Sequence, residues 1–176
     1  MNEIGIDVSS HNGGIDWKKV KASGIKFAVL RGGYGKFANQ TDTTFYYNAD
    51  ECIANDIPFG VYWFSYALDE NDARAEAETC YNAIKKYLDK ITLPVFYDFE
   101  YDTETYAEKQ KVYFNNTTRT NIILAFCNYL KNKGVNTGYY SNADYLRNKL
   151  YPSKIKFPLW LAQYNSASPA YDCVLV

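Results

Sequence analysis

Short apolar runs of strand length alternate with longer helical segments along this chain, and this order limits the folds that it can adopt. The predicted strands cover residues 4–8, 27–31, 59–66, 93–99, 137–140, 159–162 and 173–176. The predicted helices run from Asp16 to the residue before Gly24 and over residues 43–54, 71–88, 118–133 and 143–150, with a polar connection at 101–116. Strands that alternate with helices predict a mainly parallel sheet covered by helices.

The length of the chain narrows the choice among parallel folds. A full β/α barrel usually takes about 250 residues, whereas this chain has 176, and its helices become shorter in the second half. We therefore predict an α/β fold, a flattened, incomplete TIM-like β/α barrel with about seven strands in one domain, residues 1–176. A doubly wound open sheet is the alternative, although residues 31–35 lack the glycine spacing of a phosphate-binding loop.

Charge and the scarce metal-binding residues exclude several classes of function. The 19 Lys and Arg residues balance 20 Asp and Glu residues, which argues against a nucleic-acid partner. The longest apolar stretch, residues 58–68, is too short to span a bilayer, and the N-terminus has no basic, apolar leader, so we expect neither a membrane segment nor a signal peptide. Four scattered cysteines and a single histidine, His11, argue against a metal site and against Ser-His or Cys-His catalysis.

Three acidic residues lie where predicted strands end, which is where parallel β/α proteins carry their chemistry. They are Asp7, Asp98 and Glu100. Side chains alternate along a strand, so Asp98 and Glu100 should share a face, with Cα atoms roughly 6.5 to 7 Å apart. Such a pair suits cleavage of a glycosidic bond, because crowding two acids near apolar rings keeps one of them protonated. The alternative is that these acids cap helices or pair with Arg31.

Aromatic residues make up 18% of the chain, and several of them fall at the same strand ends. Tyr62 and Phe64 share one face of the third strand, while Tyr140 and Trp160 lie on later strands. Together they could wall a groove that stacks on sugar faces. Packing in the core is the simpler explanation for any one of them.

Six segments in order resemble the glycoside hydrolase family 25 lysozymes, the Chalaropsis-type muramidases found in phage endolysins and bacterial autolysins. The segments are Gly5-Ile6-Asp7-Val8-Ser9, residues 27–35, Gly60-Val61-Tyr62-Trp63-Phe64, Val95-Phe96-Tyr97-Asp98-Phe99-Glu100, Gly138-Tyr139-Tyr140-Ser141 and residues 158–164. They cover nearly the whole chain, and their common order is far more specific than any single match.

The resemblance implies a muramidase that cleaves the β-1,4 bond between N-acetylmuramic acid and N-acetylglucosamine in bacterial peptidoglycan, without a cofactor. It places Glu100 as the general acid, Asp98 as the nucleophile or the stabiliser of a cyclic intermediate, and Asp7 as the supporting acid. It places Tyr62, Tyr140 and Trp160 at positions that line the sugar-binding groove, with Phe64 the weaker match. We also predict that Arg31, at the end of a strand, binds substrate. Without a signal peptide, such an enzyme would reach the cell wall after release from the cytoplasm, as endolysins do.

The chain departs from the family pattern at its C-terminal end. Members of the family usually finish with a further strand, whereas this sequence stops at Val176. A shortened product, a neighbouring chain that completes the sheet, or a small barrel that tolerates the gap would each explain this, and open sheet edges could support a homo-oligomer. The competing functions are a sugar-binding module that has lost turnover and, less well supported, a barrel enzyme acting on a phosphorylated sugar.

Overall fold

A single parallel sheet organises the computed structural model, which describes residues 3–164 and 168–174. Within these residues the sheet has six strands in sequential order, each hydrogen-bonded to the next along the chain. The strands are β1 (Gly5–Val8), β2 (Phe27–Tyr34), β3 (Phe59–Phe64), β4 (Val95–Asp98), β5 (Thr137–Asn142) and β6 (Leu159–Ala162). This arrangement confirms the predicted incomplete α/β barrel.

The sheet curls into a half-barrel. In a flat sheet β3 and β6 would be three strand spacings, or about 14 Å, apart. The ring centroids of Tyr62 on β3 and Trp160 on β6 are only 6.0 Å apart. The concave face therefore brings side chains from distant strands together, and its open end is where a site can form.

Helices cover the convex face of the sheet. They are α1 (Trp17–Ala22), α2 (Phe45–Ala54), α3 (Glu70–Ile84), α4 (Tyr101–Lys109) and α5 (Asn116–Asn132). The predicted N-cap Asp16 accepts a hydrogen bond from the Lys19 amide at 3.1 Å, and Gly134, with φ of 79°, lies just beyond the end of α5. The core lies between the helices and the outward-facing residues of the strands, where Trp63, Tyr97 and Phe126 are fully buried.

The structure corrects four predicted elements. The predicted polar connection at residues 101–116 contains α4. Most residues of this helix are exposed, so its sequence lacks the apolar spacing expected of a helix. β2 continues three residues beyond Arg31, and residues 145–149 form a π-helical turn. Of the predicted seventh strand, Cys173 and Val174 lie outside any strand, although the Val174 amide donates to the Leu159 carbonyl at 2.9 Å; residues 175–176 lie outside the described residues.

None of the helices in the described part of the chain is long and apolar enough to cross a membrane.

Candidate active site

Five strands contribute one residue each to a row across the concave face, which we call the central row. Backbone pairing aligns Tyr34 with Phe64, Phe64 with Asp98, Asp98 with Tyr140, and Tyr140 with Trp160. Paired residues of adjacent strands point to the same face of a sheet. The central row is therefore a line of aromatic rings with one carboxylate at its centre, at the carboxyl end of the strands.

A cavity of about 500 Å³ opens over one half of the central row, and we call it the acid cavity. It contains all three predicted catalytic acids and three of the predicted sugar-binding residues. Its lining comprises Asp7, Tyr62, Asp98, Glu100, Tyr140, Trp160 and residues 161–164. The curl of the sheet brings β1, β3, β4, β5 and β6 to this one opening.

Asp98 is the most buried of the acids, with 8% of its surface exposed. Its Oδ1 atom is buried and has no hydrogen-bond partner among the described residues. Burial raises the pKa of Asp98 well above its ordinary value of 3.8, and the neighbouring charges of Glu100, Asp7 and Asp102 raise it further. An unpartnered buried carboxylate is unfavourable for folding, which makes it a functional-site candidate.

Glu100 follows β4 in extended conformation and is the N-cap residue of α4. Half-burial of its side chain raises the pKa of Glu100, and the charge of Asp102 adds to the effect. Asp7, at the third position of β1, is exposed to the opening of the acid cavity. The acids therefore differ in environment, as two carboxyl groups with different chemical roles require.

A series of three hydrogen bonds connects Glu100 to Asp98 and fixes their relative position. The Glu100 amide donates to Thr103 Oγ1 at 3.3 Å, and the Thr103 hydroxyl donates to the Ser65 carbonyl at 2.9 Å. The Ser65 amide in turn donates to the Asp98 carbonyl at 2.9 Å. Sequence reasoning missed Ser65 and Thr103, because neither carries a pattern that distinguishes it from an ordinary helix or loop residue.

Aromatic rings wall the acid cavity. The Trp160 ring meets those of Tyr140 at 5.1 Å and Phe96 at 5.5 Å between centroids. Burial raises the pKa values of Tyr62 and Tyr140, so both phenols stay neutral and can donate hydrogen bonds. The predicted positions of Tyr62, Tyr140 and Trp160 around the acids agree with this geometry.

Arg31 and Phe64 lie outside the acid cavity, in an adjoining space of about 470 Å³ that we call the middle cavity. Arg31 donates to Asp42 Oδ2 at 2.6 Å and to the Ser10 hydroxyl at 2.8 Å. The alternative pairing of Arg31 with a catalytic acid is therefore not formed. Asp102, which the sequence reasoning overlooked, lies in the first turn of α4 and lines the middle cavity.

A metal centre has no obvious place in this arrangement. Among the residues that the structure describes, His, Cys, Asp and Glu side chains form no group of three that could hold a metal ion. The chemistry open to the acid cavity is proton transfer and charge stabilisation by carboxyl groups, next to rings that can hold a sugar.

The sequence matches a known protein family over nearly its whole length. The family model of glycosyl hydrolases family 25 matches residues 6–173. An autolytic lysozyme of Clostridium acetobutylicum is 26% identical over 172 residues, which cover 98% of this chain and 48% of that protein. The chain thus spans about half the length of this curated relative.

Solved structures show the same fold. The modular autolysin LytC from Streptococcus pneumoniae superposes with a TM-score of 0.78 and 32% identity, over 92% of this chain and 38% of that one. LytC has also been solved in complex with a synthetic peptidoglycan ligand. The CTP1L endolysin superposes with a TM-score of 0.79 at 24% identity, over 97% of this chain and 56% of that one.

Proposed function

The chain belongs to glycosyl hydrolases family 25, and from this premise we propose that it is a muramidase. Its substrate is bacterial peptidoglycan, in which it hydrolyses the β-1,4 bond between N-acetylmuramic acid and N-acetylglucosamine. In this proposal residues 1–176 act as one catalytic domain. The observation that carries it is the pair of raised-pKa carboxyl groups, Asp98 and Glu100, in a cavity walled by aromatic rings.

Burial raises the pKa values of both Asp98 and Glu100, and the charge of Glu100 raises that of Asp98 further, so the two carboxyl groups titrate as a pair. In the free protein, deeper burial favours the proton on Asp98. When positive charge develops on the sugar ring beside Asp98, ionised Asp98 becomes favourable, and Glu100 is the carboxyl group that carries a proton. The substrate therefore sets up the acid and the anion that cleavage requires.

Cleavage then follows from these positions. Glu100 donates its proton to the glycosidic oxygen as the bond to the leaving sugar breaks. Ionised Asp98 either attacks the anomeric carbon or stabilises the cyclic intermediate formed by the substrate's acetamido group. Water then attacks the anomeric carbon and gives its proton to Glu100. The bond from that carbon to Asp98 or to the acetamido oxygen breaks, so the sugar leaves with a new hydroxyl group. Asp7 supports the developing positive charge from the edge of the cavity.

The aromatic wall supplies the sugar-binding surface. Tyr62, Tyr140 and Trp160 offer ring faces for stacking and neutral hydroxyl or N–H donors for sugar oxygens. Arg31 and Phe64, in the middle cavity, would contact the glycan further along the strand. We propose that the chain acts at the bacterial cell wall, in accord with its similarity to an autolytic lysozyme and an endolysin. We expect no cofactor.

The decisive experiment compares Glu100→Gln and Asp98→Asn with the unaltered chain on purified cell walls. We expect turbidity clearing and new muramic acid reducing ends from the unaltered chain, and a loss of several powers of ten in both variants. Glu108→Gln, which alters an exposed acid of the same helix α4, is the matched control and should clear walls normally. Near-normal cleavage by both active-site variants would overturn the mechanism.

The same assay separates the enzyme from a sugar-binding module. An unaltered chain that sediments with cell walls but releases no reducing ends would be a binding module on the same fold. New glucosamine ends, instead of muramic acid ends, would show that a different bond is cleaved.

A further inference from the structure

A third cavity, of about 370 Å³, lies beyond the middle cavity, and we call it the aromatic pocket. Four aromatic side chains line it: Tyr34, Phe37, Tyr66 and Tyr106. None of them belongs to the set that the proposed mechanism uses. Phe37 has 60% of its surface exposed, and the Lys36 ammonium group lies 5.9 Å from the centre of its ring.

The aromatic pocket is continuous with the rest of the cleft. Tyr34 and Tyr66 line both the middle cavity and the aromatic pocket. Tyr34 also ends the central row, two strands from Asp98, which corresponds to about 10 Å between their Cα atoms. A linear ligand centred on Asp98 can therefore extend over Phe64 into this pocket.

The rings of the aromatic pocket meet edge to face and do not stack on one another. Tyr66 meets Tyr106 at 4.9 Å and Tyr34 at 5.9 Å, both edge to face, so ring faces stay open to the cavity. The hydroxyl groups of these three tyrosines make no hydrogen bond to any residue in the described ranges. Open ring faces with unused hydroxyl groups fit a sugar, whose faces are apolar and whose edges carry hydroxyls.

The backbone under the pocket is built to hold these rings in place. A bulge between Arg31 and Gly33 turns Tyr34 to the same face as Arg31, which strict alternation would not do. Gly33 is required there, because a Cβ atom would lie 2.5 Å from the Gln40 carbonyl oxygen. On the opposite wall, the Tyr66 amide donates to the buried Glu76 carboxylate at 2.8 Å.

Charged groups close the outer end of the pocket. The Lys36 ammonium group lies 2.5 Å from Asp72 Oδ1, and the Leu68 amide donates to the other oxygen of Asp72 at 3.2 Å. This pair presents both a cation and an anion, and neither sign dominates. A neutral ligand with donors and acceptors suits such a wall better than a phosphate or an acidic peptide.

We propose that the aromatic pocket is a remote subsite for one N-acetylated sugar of the same glycan strand whose bond is cut at Asp98 and Glu100. This inference rests on the proposed muramidase function and adds a preference for long glycan strands. A strand whose scissile bond lies at Asp98 gains further binding free energy when it also reaches the aromatic pocket, and an eight-sugar strand can do this in more binding registers than a four-sugar strand can. The pocket therefore raises kcat/KM for the longer substrate.

The test measures kcat/KM on peptide-free glycan strands of four and eight sugars. We expect the unaltered chain to prefer the longer strand, and Phe37→Ala and Tyr106→Ala each to reduce the ratio of long to short by roughly three- to tenfold, the effect of one stacked ring. Tyr113→Ala, which removes a ring with 76% exposure away from the pocket, is the matched control and should keep the ratio. Equal kcat/KM for both lengths, or an unchanged ratio in both pocket variants, would overturn the subsite.

A binding measurement separates this inference from the proposed function. Calorimetric titration of the Glu100→Gln variant with the eight-sugar strand should give a Kd that rises three- to tenfold when Phe37→Ala is added. If the unaltered chain cleaves neither strand, the muramidase proposal fails, and this titration still decides whether the pocket holds a sugar. An identical Kd with and without Phe37→Ala would show that it does not.

Discussion

Two buried aspartates in neighbouring cavities have opposite surroundings. Asp42 accepts hydrogen bonds from the Ser10 and Thr44 amides and pairs with Arg31. Burial alone would raise the pKa of Asp42, but these partners outweigh it and lower the pKa below 3.8. Asp98 has an unpartnered oxygen and acidic neighbours instead. The same residue type therefore stabilises the fold at one position and destabilises it at the other.

Asp98→Asn should remove activity and stabilise the protein. Because the pKa of Asp98 is raised in the folded state, its contribution to stability is complete below about pH 4 and is lost as the pH rises. We expect a Tm several degrees higher than that of the unaltered chain at pH 8 and little difference at pH 4. Thermal unfolding followed by circular dichroism at both pH values measures this.

Asp42→Asn is the matched comparison, with the opposite expected sign. It leaves Arg31 without its anion and should destabilise the fold by about 3 kcal/mol at pH 8, the size of effect seen when one partner of a buried pair is removed. If Asp98→Asn destabilised the protein as much as Asp42→Asn does, the ionised Asp98 side chain would stabilise the fold, and this prediction would be wrong.

The carboxyl groups of the site could be predicted from the sequence, because strand alternation and the position of strand ends depend only on local pattern. The burial that raises the pKa of Asp98 could not be predicted in this way. The burial of Asp98 depends on how far the sheet curls, which brings Trp160 of β6 over the acids. The place of Arg31 depends on Asp42, a partner eleven residues away that no local pattern identifies.

At the scale of elements, α4 is the part of the fold that holds Glu100 at the cavity. Glu104 of α4 pairs with Arg119 of α5 at 2.7 Å and with Lys149 at 3.2 Å, and it accepts a hydrogen bond from the Tyr145 hydroxyl. Glu100 lies one turn before Glu104 on the same helix. This cluster therefore fixes the helix whose first turn sets the direction of the Glu100 side chain.

Arg119→Met should loosen α4 and lower kcat more than it raises KM. The change leaves the partly buried Glu104 carboxylate without its closest cation, so we expect a loss of stability of about 2–3 kcal/mol. We also expect a decrease in kcat of about tenfold, because the direction of Glu100 is less well fixed. Steady-state kinetics on soluble glycan strands, with urea unfolding alongside, measures both effects.

Arg74→Met is the control for the loss of any ion pair between an arginine and a carboxylate. Arg74 pairs with Glu70 on the exposed surface of α3, at 3.1 Å. Exposed pairs contribute little, so stability and kcat should stay close to those of the unaltered chain. Equal losses of kcat in both variants would remove the special role of the Glu104 cluster.

The element boundaries show which physical signals a single sequence carries. The start of α1 was predicted correctly, because an N-cap residue such as Asp16 acts locally. α4 was missed because its buried side consists only of small residues, Thr103 and Ala107, which leave no apolar stripe. β2 was predicted too short because its apolar run ends before Gly32 and Gly33. These glycines allow close packing against Trp63 in a bulged strand.

The half-barrel as a whole has two edge strands among the described residues, β1 and β6. β1 is short, and it carries the exposed Asp7; such features discourage pairing with another sheet. On the other side, the Val174 amide bonds to β6. Association through the sheet edges remains a prediction, and sedimentation velocity over a range of protein concentrations would test it.

A buried acidic residue outside the acid cavity, Glu76, also shapes how the stability of the molecule responds to pH. Glu76 has 1% of its surface exposed and accepts hydrogen bonds from the Tyr66 amide at 2.8 Å and the Tyr97 hydroxyl at 2.5 Å. Burial outweighs these partners and raises the pKa of Glu76 to about 7. Together with Asp98, it makes the folded chain bind more protons than the unfolded chain above about pH 4.5.

These groups predict that stability is greatest in mildly acidic solution, near pH 5. The raised pKa of Glu76 gives stability that is complete below 4.5 and declines as the pH rises through 7, by about 3 kcal/mol in all. Asp42 and Glu104 have lowered pKa values, so their contributions are complete above about pH 4.5 and decline in stronger acid. Urea unfolding from pH 3 to 9 should therefore give a maximum, and Glu76→Gln, which keeps the shape of the side chain, should flatten its alkaline side. Stability that rises steadily to pH 8 would contradict this, because it would mean that Glu76 and Asp98 are ionised without cost in the folded protein.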